Sequence, residues 1–188
     1  MFCPVCKDAK LQAAVLPADP TGLTASRCPA CGGHWVAGDV YLQWVAAQGR
    51  QPGPTSAPTT DQPPPELRDS TKAKLCPACG RLLTRARVGH GLSFHLDRCG
   101  GCAGFWFDAG EWDALLARGL HDDAHHVFSD AWQADVLRDD RRHQRERLML
   151  GKLGAADWAE AQRVKAWLDG HPHRAEILAH LTEREERG

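Results

Sequence analysis

The chain has 188 residues, a formal net charge of −1 and 43% hydrophobic residues, which is the composition of an ordinary water-soluble protein. No apolar run approaches the roughly 18 residues that a transmembrane helix requires, and the N-terminal segment lacks the apolar stretch of a secretory signal. With a pI near 6.8, the chain has no overall positive charge to attract nucleic acid. These properties argue against a membrane protein and predict a location in the reducing cytoplasm.

The eight cysteines form four CxxC pairs, and these pairs use every cysteine in the chain. In a secreted protein they could form four disulfides, but in a cytosolic protein this pairing indicates metal binding. If eight thiolates bound two Zn²⁺ ions, they would add −8 and +4 to the formal charge of −1 and give −5. Any contact with nucleic acid would then need a local basic patch.

Residues 3–49 and 76–119 repeat one arrangement, so the sequence contains an internal duplication. In each copy two CxxC pairs flank a loop, of 21 residues in the first copy and 19 in the second. The Pro- and Thr-rich segment between the copies predicts an extended, mobile linker, and helix-forming residues take over after the second copy. The predicted organisation is a zinc ribbon at 1–50, a linker at 51–73, a second zinc ribbon at 74–120 and an α-helical region at 121–188.

Each copy has about 45 residues, which is too few to bury an apolar core that offsets the entropy of ordering the chain. Four thiolates around one Zn²⁺ supply the missing stability, since apparent zinc-binding energies in zinc-finger peptides are roughly 10–16 kcal/mol. The metal is therefore predicted to serve as the core of each ribbon, in a small zinc-stabilised α+β fold. The predicted ligand sets are Cys3, Cys6, Cys28 and Cys31 for one structural zinc ion and Cys76, Cys79, Cys99 and Cys102 for the other.

Other interpretations of the residues around these sites remain open. The first CxxC pair could share a metal with the third, although closing a loop over the linker costs more chain entropy. The pairs could instead carry out dithiol redox chemistry, although none opens a helix in a βαβ setting. His34 and His95 lie near the pairs, but a closed four-sulfur site has no position for them. We interpret Trp35 and Trp106 as lids over the zinc-binding turns rather than as platforms for stacked ligands.

The loop of each copy has the length of a β-hairpin. In the second copy, apolar and polar side chains alternate over 92–97, which predicts a strand with one buried face and one solvated face. The solvated face holds Ser93, His95 and Asp97. Residues 89–91 supply the turn, and Arg85 and Arg87 fall on the solvated side of the partner strand. In the first copy, the predicted strands are 10–16 and 23–27, around a turn at 17–22.

A short helix is predicted after the last CxxC pair of each copy. Asp108 and Glu111 have the spacing of a capping box, in which the Asp108 carboxylate accepts a backbone N–H and Glu111 bonds back to the chain. Gly119 can end this helix. The helix of the first copy runs over 39–48 and lacks a matching acid in front of it.

The second copy reads CPACG, a 19-residue loop and then CGGCAGFWFDAGEW. It resembles the bacterial branch of the transcription-factor-IIB-type zinc finger family, whose pattern is CPxCG, a hairpin, CxxCGGxWxDxGE and a short helix. The residues on this pattern are Cys76, Cys79, Cys99, Cys102, Trp106, Asp108, Gly110 and Glu111. Residues 3–49 are similar to a degenerate second member, which keeps the cysteines, Gly32, Gly33 and Trp35. The resemblance implies a zinc ribbon, and because the ribbon of the factor that names the family docks on RNA polymerase, it suggests RNA polymerase or an associated factor as a partner.

Residues 128–150 predict a helix that begins near Ser129 or Asp130 and stops at Gly151. Its middle, 138–147, contains no apolar side chain and holds five arginines against three acids. An exposed helix with salt bridges explains this composition, and a nucleic-acid contact through the arginines is the alternative.

Two shorter helices are predicted to follow. Asp157 and Glu160 have the spacing of a capping box and open a helix to about Asp169. Gly170 ends this helix, and Pro172 suits the first turn of the last one. The pair could form a helix-turn-helix, but the last helix ends in acids where a recognition helix usually carries bases. We therefore predict a helical hairpin that docks on the ribbons or on a partner.

Taken together, these features predict a non-enzymatic, zinc-binding adaptor for a protein partner, with the transcription machinery as the first class to test. The sequence shows no open metal site, no Gly-rich phosphate loop and no nucleophile beside a base, and therefore no sign of a small-molecule substrate. One alternative is a DNA- or RNA-binding regulatory protein, and another is a thiol switch that releases zinc on oxidation. The candidate contact residues are Arg81, Arg85, Arg87, Phe107, Arg138, Arg141, Arg142 and Arg145.

Overall fold

The fold is taken from a computed structural model, which describes residues 1–17, 22–47, 67 and 69–183. It divides into two units, Met1–Leu137 and Arg138–Gly188, and each is considered by itself. Most of the predicted linker at 51–73 lies outside the described residues. Within the described ranges, no helix combines the length and the apolar composition needed to cross a membrane.

The first unit is built on one six-stranded antiparallel sheet, to which each ribbon contributes three strands. The strands are β1 (Gln12–Leu16), β2 (Leu23–Arg27), β3 (His34–Val36), β4 (Leu83–Gly89), β5 (Leu92–Cys99) and β6 (Phe105–Phe107). Their spatial order is β1-β2-β3-β6-β5-β4, which is symmetric about the β3–β6 pair. The two ribbons are therefore the two halves of one continuous sheet.

The two predicted hairpins are the pairs β1–β2 and β4–β5. In the β4–β5 turn, Gly89, His90 and Gly91 have φ angles of 68°, 51° and 82°, a left-handed region in which glycine is unstrained. The sequence analysis did not predict β3 and β6. Each has only three residues, which is too short for an alternating pattern to be recognised.

Two helices follow the central strands, as predicted. Helix α1 spans Gly38–Ala47 and helix α2 spans Glu111–Ala117. Gly119 has a φ of 63°, and the amide N–H of Leu120 donates to the Leu115 carbonyl at 2.9 Å. This is the glycine-terminated helix end that the sequence indicates.

Both ribbons share one apolar core. Trp112 of the second ribbon donates its indole N–H to the carbonyl of Pro17 in the first, at 2.7 Å. The prediction that the metal alone forms the core of each ribbon is therefore wrong, because each ribbon also buries apolar surface against the other. Core residues include Leu16, Leu23, Val36, Tyr41 and Trp44 from the first ribbon and Val88, Phe94, Leu96, Phe105, Phe107, Trp112 and Leu115 from the second.

The next helix covers one edge of the sheet with its first turns. The hydroxyl of Ser129 accepts the N–H of Trp132 at 3.3 Å, which is the cap expected near this position. The Trp132 indole donates to the Val88 carbonyl at 2.8 Å, and the Gln133 amide donates to the Arg87 carbonyl at 2.9 Å. These bonds satisfy carbonyls of the edge strand β4 that could otherwise pair with another chain.

The C-terminal helices differ from the prediction at one glycine. The backbone leaves helical geometry at Gly154, with φ 79° and ψ 168°, and not at Gly151, which is helical. The predicted end near Asp169 is confirmed, whereas Pro172 lies in the turn before the last helix. The elements are a 3-10 turn at His126–Phe128, α3 at Asp130–Asp169 and α4 at Arg174–Thr182.

In the second unit, side chains of α3 from Leu153 onward and of α4 line one groove of about 690 Å³. Leu168 is buried there, and Arg174 Nε lies 3.4 Å from Asp169 Oδ1 across the turn between the helices. The two helical segments therefore form the predicted hairpin.

Candidate metal centres

Four sulfur atoms converge in each ribbon. The two clusters are Cys3, Cys6, Cys28 and Cys31, and Cys76, Cys79, Cys99 and Cys102, with the ligand atoms of each cluster within 4.8 Å of one another. None of the eight cysteines forms a disulfide. These sets match the predicted local ligand sets, and no cluster among the described residues combines cysteines of the first and third pairs. Neither His34 nor His95 belongs to a cluster.

The sulfur separations fit tetrahedral zinc. They are 3.6 Å and 3.9 Å for two pairs in the first cluster and 3.5 Å and 3.4 Å for two pairs in the second. A Zn–S bond of about 2.3 Å in a tetrahedron places the sulfur atoms about 3.8 Å apart. Each cluster is therefore compatible with one structural zinc ion.

The turns that hold the sulfur atoms share one backbone conformation. The residue after the second cysteine of every pair has a positive φ: 63° at Lys7, 78° at Gly32, 75° at Gly80 and 57° at Ala103. Glycine adopts this conformation freely, whereas lysine and alanine are strained in it. Two of the four turns thus accept strain that closure around the sulfur atoms must offset.

Backbone N–H groups point at the sulfur atoms and alter their ionisation. The Gly101 amide lies 3.3 Å from Cys99 Sγ. Burial opposes ionisation of Cys99, but amides of its turn outweigh burial and lower its pKa to about 6, and the pKa of Cys28 falls to about 7 for the same reasons. Burial raises the pKa of Cys76 to about 12. Zinc binding near neutral pH must therefore displace protons from thiols of both sites.

The two tryptophans pack across the boundary between the ribbons. Trp35 and Trp106 are register partners in the β3–β6 pair, and both are buried. A Cβ atom on Gly33 would lie 2.3 Å from the Trp106 ring, and one on Gly104 would lie 2.3 Å from the Trp35 ring. Each indole is thus a lid, but it covers the turn of the opposite ribbon.

The second ribbon also buries a network of charged groups. Lys74 is only 1% exposed, and its ammonium donates to Asp97 at 2.5 Å and to Asp108 at 2.8 Å. Asp108 accepts two further bonds, from the Trp106 indole at 2.7 Å and from the Ser70 amide at 2.8 Å. The network therefore ties the central strand β6 to the segment that precedes the second ribbon.

The predicted capping box is half right. Glu111 Oε2 accepts the N–H of Asp108 at 2.8 Å, so this acid bonds back to the chain as predicted. The Asp108 carboxylate accepts a backbone N–H from Ser70 rather than from its own helix. Glu111 is completely buried, and its Oε1 has no hydrogen-bond partner among the described residues. Burial, together with the neighbouring charge of Asp108, raises the pKa of Glu111 well above its ordinary value.

Carboxylate oxygens of Asp69, Asp108 and Glu111 also lie within 4.8 Å of one another. The ammonium of Lys74 already occupies the cation position beside Asp108, so we interpret this cluster as an ion-pair network and not as a metal site. Sequence reasoning missed the network because Asp69 belongs to the predicted linker and a lone lysine before a cysteine carries no recognisable pattern.

Several residues expected on the surface are not available there. Phe107 is fully buried and packs edge-on against Trp112 at 5.2 Å between ring centroids, so its prediction as an exposed contact is wrong. Asp97, placed on the solvated face, is also buried. Arg85 is half-buried and pairs with Asp69. The predicted contact residues that are exposed are Arg81, Arg138, Arg141, Arg142 and Arg145.

Comparison with known proteins assigns the same two regions. Residues 2–47 and 75–118 match the family described as "Transcription factor zinc-finger", with one match for each half of the sheet. No curated protein and no solved structure is significantly similar to the chain.

Proposed function

Because residues 2–47 and 75–118 are two tandem zinc ribbons of the transcription factor zinc-finger family, we propose that this protein is a non-enzymatic, zinc-stabilised cytoplasmic adaptor. It binds a protein partner, and the transcription machinery, including RNA polymerase, is the first class to test. The observation that carries the proposal is a set of exposed apolar side chains beside the zinc sites.

The exposed apolar residues lie next to the first cysteine of each ribbon. Leu75 and Leu82 are 58% and 63% exposed and face each other in an antiparallel bridge. Phe2 is 60% exposed at the equivalent position of the first ribbon. Large apolar side chains that neighbour one another on the surface mark protein contacts, and a metal-anchored backbone reduces the entropy lost on binding.

The closed metal sites support a structural role for zinc. Four thiolates fill a tetrahedral site and leave no position for water or substrate. The charge of the chain supports a protein partner over nucleic acid, because the described arginines of α3 lie among acids, as Arg142 does at 2.9 Å from Asp139. Nucleic-acid binding needs several unopposed cations along a phosphate backbone.

A pull-down with the tagged full chain from extracts of the source cells tests the proposal. The baits are the zinc-loaded protein, the chelated protein, a Leu75→Asp/Leu82→Asp variant and, as a matched control, Leu42→Asp. Leu42 is 47% exposed on α1 rather than beside a cysteine. We expect the zinc-loaded protein and the control to retain the same partner, and the other two baits to lose it.

Equal recovery by all four baits would refute the adaptor function. If the retained partners include RNA polymerase subunits, the assignment to transcription stands, and if ribosomal or membrane components dominate, it fails. If nuclease treatment abolishes recovery and binding weakens log-linearly with salt, the protein binds nucleic acid instead.

A further inference from the structure

Arg98 is a cation that has no anionic partner among the residues that the structure describes. It lies at the end of β5, directly before the third cysteine of the second ribbon. Its Nε atom is buried and unbonded, and its guanidinium makes no hydrogen bond or ion pair with any residue that the structure describes. Arg85 on the neighbouring strand, by contrast, pairs with Asp69. Arg98 as a whole is half-buried, but a buried N–H donor without an acceptor is costly, so the position favours an anion that comes from outside the chain.

Two aromatic rings hold the Arg98 side chain in place. Its guanidinium carbon lies 5.5 Å from the centroid of Phe105 and 5.8 Å from that of Phe128. Contacts of a cation with aromatic rings contribute roughly 0.5–2 kcal/mol, depending on how far the cation is desolvated. A side chain that is already ordered loses less entropy when it binds a ligand.

A pocket of about 270 Å³ opens beside this guanidinium. Its walls are formed by Arg98, Thr84, Phe128 and the zinc-binding turn, which contributes Cys99, Gly100, Gly101 and Ala103. No heavy atom lies within 4 Å of the place where a Cβ atom on Gly100 would stand, so the turn leaves room for an incoming chain. The volume is below the roughly 300–1,000 Å³ of small-molecule sites and suits one functional group.

The chemistry of the pocket selects its ligand. A guanidinium presents a fork of N–H donors that matches the two oxygens of a carboxylate or a phosphate. Two zinc-bound clusters would bring the formal charge of the chain from −1 to −5, as calculated above, which repels a polyanion but tolerates one acidic side chain. A single pocketed cation therefore fits an acidic residue of a protein better than a nucleic-acid backbone.

We propose that the pocket formed by Arg98, Thr84, Phe128 and the turn at Gly100 and Gly101 binds the carboxylate of an aspartate or glutamate side chain on the partner protein. This inference rests on the adaptor function proposed above and adds the chemistry of one contact. The equivalent residue of the first ribbon, Arg27, is exposed and serves as an internal control.

An NMR titration of the zinc-loaded, ¹⁵N-labelled full chain tests the pocket directly. The probes are N-acetylglutamate amide, the neutral N-acetylglutamine amide and inorganic phosphate, at constant ionic strength. We expect the glutamate probe to shift the Arg98 Nε–H signal and the amides of Gly100 and Gly101 saturably. The Arg98→Gln variant should bind at least tenfold more weakly, Arg27→Gln should bind as the wild type does, and the glutamine probe should give no saturable shift.

Three results would overturn the inference: no saturable shift in the wild type, equal shifts with the glutamine probe, or saturation with phosphate only. Zinc content and spectral dispersion show whether Arg98→Gln folds. If it does not, Arg98→Lys keeps the positive charge but lacks the paired N–H donors of the guanidinium. This variant should bind the glutamate probe several-fold more weakly than the wild type does. Unchanged binding would count against the pocket. A positive titration with no partner in the pull-down would refute the adaptor function and leave the pocket intact.

Discussion

The two ribbons have the same two CxxC pairs and the same order of strands, yet they differ in one layer, which is buried in the second ribbon only. The second ribbon holds an ion-pair network there, whereas the first ribbon has uncharged side chains at every equivalent position, and these are exposed or half-buried. A buried ion pair is stable only while both partners are present, because removal of one leaves an uncompensated charge. The comparison teaches that such a layer is kept or replaced as a whole. Counted from the cysteines, Lys74, Asp97, Asp108 and Glu111 correspond to Met1, Ser26, Ala37 and Val40.

Loss of a zinc ligand should have the largest effect on either ribbon. Cys28→Ser and Cys99→Ser are each expected to lower the bound zinc from two ions to one, because the two clusters share no ligand. Apparent zinc-binding energies of roughly 10–16 kcal/mol imply that the affected turns lose their structure. Elemental analysis and amide hydrogen exchange measure the two effects. Loss of both ions from either variant would show that the sites are not independent.

The buried charges of the second ribbon can be left unpaired by one substitution or removed together by four. Lys74→Met introduces the residue of the first ribbon and leaves Asp97 and Asp108 buried without their cation. We expect the free energy of unfolding to fall by about 3–5 kcal/mol in urea denaturation. The variant that also carries Asp97→Ser, Asp108→Ala and Glu111→Val converts the whole layer and should lose less. An equal or larger loss in the fourfold variant would contradict the view that the layer acts as one unit.

The reciprocal contacts of the two indoles predict equal effects in the two ribbons. Gly33→Ala and Gly104→Ala each place a methyl group against a tryptophan ring and should lower the free energy of unfolding by about 1–3 kcal/mol. Gly100→Ala is the control, since no atom lies near its added methyl group. Thermal and urea unfolding measure the three variants. A large difference between Gly33→Ala and Gly104→Ala would show that the packing is not reciprocal.

The smallest expected effect is the pH dependence that Glu111 gives to the second ribbon and that Val40, its counterpart in the first ribbon, cannot give. The raised pKa of Glu111 means that the folded protein binds a proton that the unfolded chain has lost. Its contribution to stability is therefore complete below the unfolded pKa of about 4.3 and is lost as pH rises through the folded pKa. In Glu111→Gln, the side-chain carbonyl can still accept the Asp108 N–H, but the side chain no longer titrates. The free energy of unfolding of the variant minus that of the wild type should therefore increase as pH rises from 5.5. Urea denaturation at constant zinc concentration measures this difference.

The cysteine spacing was enough to predict both ligand sets, because a CxxC turn fixes the direction of both sulfur atoms. Alternation over 92–97 was enough to predict the buried face of β5. The joining of the ribbons was not predictable in this way, because three-residue strands such as β3 carry no period. The burial of Asp97 depends on Lys74, which approaches from a distant part of the chain. The local sequence also could not show whether the helix breaks at Gly151 or at Gly154. A glycine inside a helix lowers helix stability by only about 1 kcal/mol relative to alanine, so either glycine could remain helical.

The pairing of β3 with β6 joins two copies within one polypeptide. Had these copies been separate molecules, every residue would occur twice in the assembly, and dilution would pull the halves apart. A covalent tether instead keeps their effective concentration fixed, so the assembly does not depend on how much protein the cell contains. It also lets one copy acquire a feature that the other lacks, which is how a single chain can present two different faces on one symmetric framework.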